Sequence, residues 1–253
     1  MVYRKFQPIR QWKTLIQDQH FKFSFLIGLL VMFLALIINV FASLYVSNIE
    51  VLAVQDLILD HIPTLDLNFF YVTGITIIIS VIFLYPILFR PEVFPFTLKA
   101  YASFIIIRSF FISLTHIGMP ENFLTHAGPN PENSLLISFF YKNDLFFSAH
   151  TGIPFLAFLL FNKDNKWISY FFLISSFIMA LTVLFMHVHY SIDVFAAYFI
   201  TYSIYKVTDS IFNKLNFRFR VRIRLLYEKS VKQKKKLLKR LRKVTGYNIG
   251  LEK

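Results

Sequence analysis

Apolar residues dominate long stretches of this chain, and short polar segments separate the stretches. Six such runs can be delimited, at about residues 23–46, 67–89, 93–115, 145–161, 167–186 and 191–212. A helix needs about 20 residues to cross about 30 Å of hydrocarbon, and the lengths of the runs bracket that value. The pattern therefore predicts an all-α polytopic membrane protein with about six transmembrane helices in a bundle.

The composition agrees with a membrane protein. Hydrophobic residues make up 56% of the 253 residues and charged residues 16%, whereas soluble domains carry about a quarter charged residues. The net charge of +13 lies in one segment, because residues 214–253 contain 15 Lys or Arg against 2 Asp or Glu. The chain has no Cys, which excludes disulfides, thiol catalysis and Cys-based metal sites.

The distribution of Lys and Arg predicts the orientation in the membrane. Positive residues cluster in segments that a six-span bundle brings to one side, namely 1–22, Arg90, 163–166 and 213–253. The loops 48–66 and 117–144 are poor in Lys and Arg. We therefore expect a cytoplasmic basic N-terminus (1–22), a six-helix transmembrane catalytic domain (23–212) and a cytoplasmic basic tail (213–253). The composition, rich in Phe, Ile and Lys, favours a bacterial inner membrane.

The basic tail predicts contact with a lipid surface. Leu237, Leu238, Leu241 and Val244 recur at helical spacing among Lys and Arg residues, which is typical of a basic amphipathic helix. Each such charge near an anionic leaflet contributes roughly 1 kcal/mol. Anionic leaflet lipids are thus expected partners, a solvated positive flank is an equal alternative, and nucleic acid is not expected.

Ionisable residues within the apolar runs indicate a candidate site, because charges there are costly. His189 and Asp193 are four residues apart and share a face if the segment is helical. The carboxylate can then hold one ring nitrogen and leave the other as a nucleophile or base. His150 lies at the same depth in a six-span bundle and can act as a general acid. Arg108, inside the third run, offers a forked donor for phosphate oxygens.

These residues also have structural interpretations. A His at the end of a span is commonly interfacial, and Arg108 can neutralise an acid elsewhere in the bundle. A metal could bind His187, His189 and Asp193, but no HExxH-type pattern and no Gly-rich phosphate loop is present. The residues alone support the catalytic and structural interpretations equally, and we expect no metal and no cofactor.

Two segments resemble the motifs of a known family. Residues 145–151 (LFFSAHT) and 187–198 (HVHYSIDVFAAY) are similar to the Ser-Gly-His-Thr and His-Tyr-Thr/Ser-x-Asp-Val-x-x-Ala-Tyr motifs of the sphingomyelin synthase family. That family belongs to the type-2 phosphatidic acid phosphatase superfamily. Weaker similarities extend the likeness over roughly residues 60–210, at Pro63 to Asp66, Arg108-Ser109 and Asn143-Asp144.

The resemblance implies a six-span fold with its site on the extracytoplasmic or lumenal side. It implies that His189 attacks phosphorus to form a phosphohistidine and that Asp193 orients the ring. It further implies that His150 protonates the leaving alcohol and then activates the acceptor hydroxyl. The residues that support phosphate or the His side chains are, by the same resemblance, Arg108, Asp144 and Ser148.

The resemblance also has departures. Ala149 replaces the motif Gly, and Lys99 and Arg108 do not match the Lys-x6-Arg-Pro spacing of ordinary phosphatases, which favours the synthase-like branch. The predicted function is transfer of a phosphocholine- or phosphoethanolamine-type headgroup from a glycerophospholipid to ceramide, diacylglycerol or a similar lipid alcohol. A lipid phosphatase or phospholipase C-like hydrolase would use the same residues, and a membrane scaffold or transporter would use none of this chemistry. Membrane phospholipids are the expected substrates, and the oligomeric state is not predicted.

Overall fold

The described part of the chain is built from helices. The computed structural model describes residues 8–120, 122–124 and 145–212, and no strand occurs among them. The α-helices are α1 (Pro8–Ile16), α2 (Gln19–Ser47), α3 (Ile75–Phe89), α4 (Phe94–Leu114), α5 (Ala149–Phe161), α6 (Lys166–Phe185) and α7 (191–212). A π-helical segment, Phe69–Gly74, leads directly into α3, and short 3-10 turns lie at Leu59–His61 and Pro91–Val93. The described residues up to Ser210 form one compact unit, and the predicted basic tail lies outside the described residues.

All six predicted apolar runs are helical over most of their length. Within the described residues, four helices are long and apolar enough to cross a membrane, at Gln19–Ser47, Phe69–Phe89, Pro91–Leu114 and Lys166–Phe185. Large apolar side chains such as Phe23, Phe33 and Phe41 are exposed on α2, where lipid rather than water would cover them. The all-α polytopic membrane fold is therefore confirmed.

Helix α5 differs from its prediction, because it begins four residues later than the apolar run. Residues 145–148 are not helical, and α5 has 13 residues. Other elements bind the free backbone of this segment: Arg108 Nε donates to Phe147 O (2.8 Å), and Ser148 N donates to Asp193 O (3.1 Å). Irregular backbone at membrane depth is tolerated where protein buries it and satisfies its hydrogen bonds.

Helix α2 packs along α4, and α5 packs along α6. Small residues line the buried side of α2 at seven-residue intervals, at Gly28, Ala35 and Ala42. A Cβ atom at Gly28 would lie 3.2 Å from Pro95 O and 3.3 Å from Leu98 Cβ, so glycine permits a close approach of the two backbones. Small residues serve the same purpose at helix interfaces in membranes generally.

The N-terminal polar segment contributes structure of its own. Trp12 of α1 donates from Nε1 to Ile87 O (2.9 Å) and contacts the ring of Phe94 edge-on. Asp18 then caps α2 by accepting hydrogen bonds from His20 N and Phe21 N. The predicted boundary between residues 22 and 23 therefore falls inside α2.

An ion pair joins two of the connections that were predicted to lie on one side of the membrane. Arg90, after α3, donates from one guanidinium nitrogen to Asp164 Oδ1 (2.8 Å) and from Nε to Glu92 Oε1 (2.9 Å). Asp164 lies between α5 and α6, so the α3–α4 and α5–α6 connections meet at one end of the helices. Which membrane face this end occupies remains a prediction.

Candidate active site

The connection between α6 and α7 carries the first candidate residues. Helix α6 stops because His187 adopts a positive φ of 54°, and α7 begins at residue 191. A non-glycine residue in the left-handed region is unfavourable by roughly 1 kcal/mol, so the surrounding contacts must hold this turn in place. Both His187 and His189 are buried.

Asp193 holds the His189 turn at two points. Its Oδ2 accepts a hydrogen bond from Tyr190 N (3.0 Å) and lies 3.5 Å from His189 Nδ1. The carboxylate thereby caps the start of α7, and the same oxygen faces the imidazole ring. His189 and Asp193 lie close together, as their spacing predicts, but His189 precedes α7, so the pair spans a helix start rather than one helical face. Nε2 is left as the nitrogen that points away from the carboxylate.

His150 lies in the first turn of α5, close to this pair. The His150 and His189 ring centroids are 6.4 Å apart, and the rings are inclined at 60°. Tyr71, from the π-helical segment before α3, stacks on His150 with centroids 4.2 Å apart and planes at 17°. The hydrogen bond from Ser148 N to Asp193 O ties the start of α5 to the start of α7. The structure therefore brings together His150, His189 and Asp193, which the sequence identified as catalytic candidates.

Arg108 reaches the segment in front of α5. Arg108 belongs to α4 and its side chain is buried. Its Nε donates a hydrogen bond to Phe147 O. Ser148 is fully buried, and Thr151 Oγ1 lies 3.4 Å from its hydroxyl oxygen. Arg108 thus contacts the residue before Ser148, and Ser148 directly precedes α5, which carries His150. The remaining supporting candidate, Asp144, lies outside the described residues.

The start of α5 is suited to an anion. Ser148 occupies the cap position but makes no side-chain hydrogen bond to the helix amides. A helix N-terminus presents N–H groups and the positive end of the helix dipole, both of which favour phosphate. The guanidinium of Arg108 adds a permanent positive charge one residue before the cap, through its contact with Phe147. Ala149, which replaces a glycine of the resembled motif, has no positive φ, so this position does not require glycine's freedom.

Contacts that the sequence did not reveal surround the site. Tyr190 OH donates to Gly118 O (2.8 Å) and accepts from Val54 N (3.0 Å), so one side chain joins two predicted extracytoplasmic loops. Asp56 Oδ2 accepts from Ser191 N (2.7 Å) at the start of α7. Burial raises the pKa of Asp56, but backbone hydrogen bonds from Ser191, Leu59 and Ile58 outweigh it and lower the pKa below its ordinary value.

Among residues 8–120, 122–124 and 145–212, no group of three or more His, Asp or Glu side chains is arranged to hold a metal ion.

Residues 143–211 match the family model described as PAP2 superfamily C-terminal. The match covers about a quarter of the chain and contains Ser148, His150, His189 and Asp193, whereas Arg108 lies outside it. It agrees with the superfamily part of the resemblance seen in the sequence, and it does not distinguish the sphingomyelin synthase branch. No curated protein matches the chain.

Proposed function

We propose that this protein is a membrane enzyme of the type-2 phosphatidic acid phosphatase superfamily that transfers a phospho-headgroup from a glycerophospholipid to a lipid alcohol. The observation that carries the proposal is the buried pair of imidazoles, His150 and His189, beside an uncapped helix start. Asp193 on one ring gives the two imidazoles different roles. The match over residues 143–211 supports phosphatase or phosphotransferase chemistry of this kind.

In the first step, His189 Nε2 attacks the phosphorus of the donor. The P–N bond forms while the P–O bond to diacylglycerol breaks, and protonated His150 gives its proton to the departing oxygen. Asp193 Oδ2 lies 3.5 Å from His189 Nδ1, and its charge orients the ring and stabilises the cationic imidazole as the bond forms. The products are diacylglycerol and a phosphohistidine that carries the headgroup as a phosphodiester-like adduct.

In the second step, an acceptor hydroxyl replaces the histidine. Neutral His150 removes the hydroxyl proton, the acceptor oxygen attacks phosphorus, and the P–N bond to His189 breaks. Ceramide and diacylglycerol are acceptors of the right class, since each presents a primary hydroxyl near the headgroup region of a bilayer. The guanidinium of Arg108 and the α5 amides stabilise the phosphoryl oxygens in both steps.

Water as the acceptor would make the same site a hydrolase. The full chain in lipid nanodiscs, given headgroup-labelled phosphatidylcholine or phosphatidylethanolamine with and without ceramide or diacylglycerol, separates the two reactions. We expect label in a new lipid only when ceramide, or a diacylglycerol whose acyl chains differ from those of the donor, is present. Diacylglycerol with the donor's own chains would only re-form the donor. Label released solely as a water-soluble product would contradict the transferase and favour the phosphatase or phospholipase C-like alternative.

The His189→Ala variant separates an enzyme from a scaffold or transporter. We expect loss of all headgroup transfer with unchanged expression and thermal unfolding, because the nucleophile is removed from a turn whose backbone Asp193 still caps. His116→Ala is the matched control, since His116 is exposed and its ring makes an edge-on contact with Tyr45. Turnover by His189→Ala equal to that of the control would exclude the phosphohistidine mechanism.

The proposal includes an orientation. Both termini would lie in the cytoplasm and the site on the opposite face, in a bacterial inner membrane, with the basic tail of residues 213–253 on anionic lipid. Cysteine-scanning accessibility suits this chain because it has no native Cys. A single Cys at Lys163 should react from the cytoplasmic side only, and one at Leu57 from the opposite side only.

A further inference from the structure

Asp56 stands out because its carboxylate is buried in a loop whose other described acids are exposed. Only 8% of Asp56 is accessible, whereas Asp60 in the same loop is exposed. Burying a carboxylate is unfavourable unless hydrogen bonds satisfy it. The contacts that satisfy Asp56 therefore indicate what the loop is built to hold.

The two carboxylate oxygens of Asp56 have different partners. Oδ1 accepts from Ile58 N (2.9 Å) and Leu59 N (3.2 Å), which fixes the loop's own 3-10 turn. Oδ2 accepts from Ser191 N (2.7 Å), which belongs to the first turn of α7, 135 residues further along the chain. One side chain thus joins the loop after α2 to the helix start that follows His189.

This contact continues the capping that Asp193 provides. Asp193 Oδ2 binds the Tyr190 amide and Asp56 Oδ2 binds the Ser191 amide, so carboxylates hold two successive peptide groups directly after His189. The Tyr190 side chain adds a further tie through its hydroxyl, which accepts from Val54 N, two residues before Asp56. The backbone that carries His189 is therefore fixed from α7 on one side and from the loop on the other.

We propose that Asp56 is a positioning residue, which holds the 189–191 backbone so that His189 presents its nucleophilic nitrogen in line with the phosphorus atom. The inference rests on the proposed function, because it concerns the geometry of the same histidine. Misplacement of a reacting group by about 1 Å can reduce a rate by about 10²-fold, so a backbone contact of this kind has a measurable effect on turnover. Asp56 does not touch the substrate in this account and acts only through the turn.

The test uses the full chain in nanodiscs with three variants, Asp56→Ala, Asp56→Asn and Asp60→Asn. An amide has one acceptor oxygen where the carboxylate has two, so Asp56→Asn can keep either the loop turn or the Ser191 bond but not both. Asp60→Asn makes the same chemical change at an exposed position of the same loop. Each variant is measured for single-turnover phosphorylation of His189, for kcat and KM, and for hydrogen exchange at the backbone amides that bind Asp56.

We expect Asp56→Ala to slow phosphorylation of His189 by about 10- to 100-fold with KM near that of the wild type, since geometry rather than binding is changed. Asp56→Asn should fall between Asp56→Ala and the wild type, and Asp60→Asn should equal the wild type. The Ser191 amide should exchange faster in Asp56→Ala, whereas in Asp56→Asn either this amide or the amides of Ile58 and Leu59 should exchange faster. Exchange is therefore read at all three amides, and this readout also serves if Asp56→Ala folds poorly and only Asp56→Asn can be studied.

The experiment distinguishes failure of the positioning role of Asp56 from failure of the proposed function. Normal phosphorylation rates in both Asp56 variants, with activity still dependent on His189, would overturn the positioning role and leave the proposed function standing. A rate loss that merely follows the fraction of unfolded protein, with kcat per folded molecule unchanged, would overturn it as well. Turnover that persists in His189→Ala would overturn the proposed function, and with it the role of Asp56.

Discussion

Two helix starts lie side by side at the candidate site, and they are treated in opposite ways. The start of α7 carries the Asp193 carboxylate as its cap and receives a second carboxylate from Asp56. The start of α5 has no side-chain cap, and Arg108 donates to the backbone just before it. A backbone hydrogen bond from Ser148 to Asp193 joins them.

In the proposed mechanism, this difference assigns a separate role to each helix start. Negative charge at a helix start satisfies the amides and the dipole internally, so α7 would hold the backbone at His189 in place. An uncapped start beside a guanidinium leaves the same favourable potential for an external anion, so α5 would bind the phosphoryl group. One terminus would fix the proposed nucleophile, and the other would bind its substrate.

Asp193→Asn tests whether the start of α7 holds His189 in place. Among the variants that compare the starts of α5 and α7, it should have the largest effect on turnover. The amide keeps an acceptor for Tyr190 N but loses the charge that faces His189, so we expect turnover to fall by about 10²- to 10⁴-fold with little change in folding. Steady-state headgroup transfer measures the effect.

Asp209→Asn is the matched control for this change, since it lies near the other end of α7. It should leave turnover unchanged. Equal activity of the Asp193 and Asp209 variants would mean that the carboxylate near His189 does not orient the ring.

Ser148→Asp breaks the contrast directly, because it places a carboxylate at the start of α5, as Asp193 does at the start of α7. Asp is a favoured cap residue, so helix stability should be retained or slightly increased. The added negative charge would compete with the phosphoryl oxygens, and we expect kcat/KM to fall by about 10²-fold, mainly through a higher KM. Kinetics over a range of donor lipid concentrations separate the two constants.

Ser148→Asn has nearly the same shape without the charge and serves as the control. It should lose much less of kcat/KM than Ser148→Asp. If the two variants have the same kinetics, the start of α5 does not bind the anion.

Gly152→Ala tests how closely α5 packs against α4 and α7, and it should have the smallest effect on turnover. A Cβ atom there would lie 2.7 Å from Phe104 Cε2 and 2.9 Å from Thr201 Oγ1, so the neighbouring side chains must shift. Overpacking of this kind typically destabilises a protein by about 1–3 kcal/mol, which thermal unfolding in detergent would detect.

Gly74→Ala is the comparison, because its Cβ would make an ordinary contact of 3.7 Å with Met179 Sδ. It should unfold at or above the wild-type temperature. A Gly152→Ala protein as stable as Gly74→Ala would mean that α5 is free to shift relative to α4 and α7.

The helices could be predicted from the sequence because membrane spans depend on local apolar length. The start of α5 was misplaced by four residues because Phe147 and Ser148 are held by Arg108 and Asp193, contacts that no local pattern contains. His189 and Asp193 were found from their spacing, although a cap rather than a helical face unites them.

The contacts that other segments make with the site residues could not be predicted from the sequence. Asp56 belongs to an acidic loop whose charges indicated only membrane orientation, and its bond to Ser191 depends on how distant segments fold together. Tyr71 was one aromatic residue in an apolar run rich in them, and its stacking on His150 follows from the π-helical turn before α3.

Detection of a phosphohistidine at residue 189 tests the central claim most directly. The full chain in nanodiscs would be mixed with donor phospholipid without acceptor, quenched under alkaline conditions that preserve phosphohistidine, and analysed by peptide mass spectrometry. The account predicts a headgroup phosphate on His189 that forms at least as fast as turnover and disappears when ceramide or diacylglycerol is added. Headgroup transfer at a normal rate with His189 unmodified throughout would contradict it.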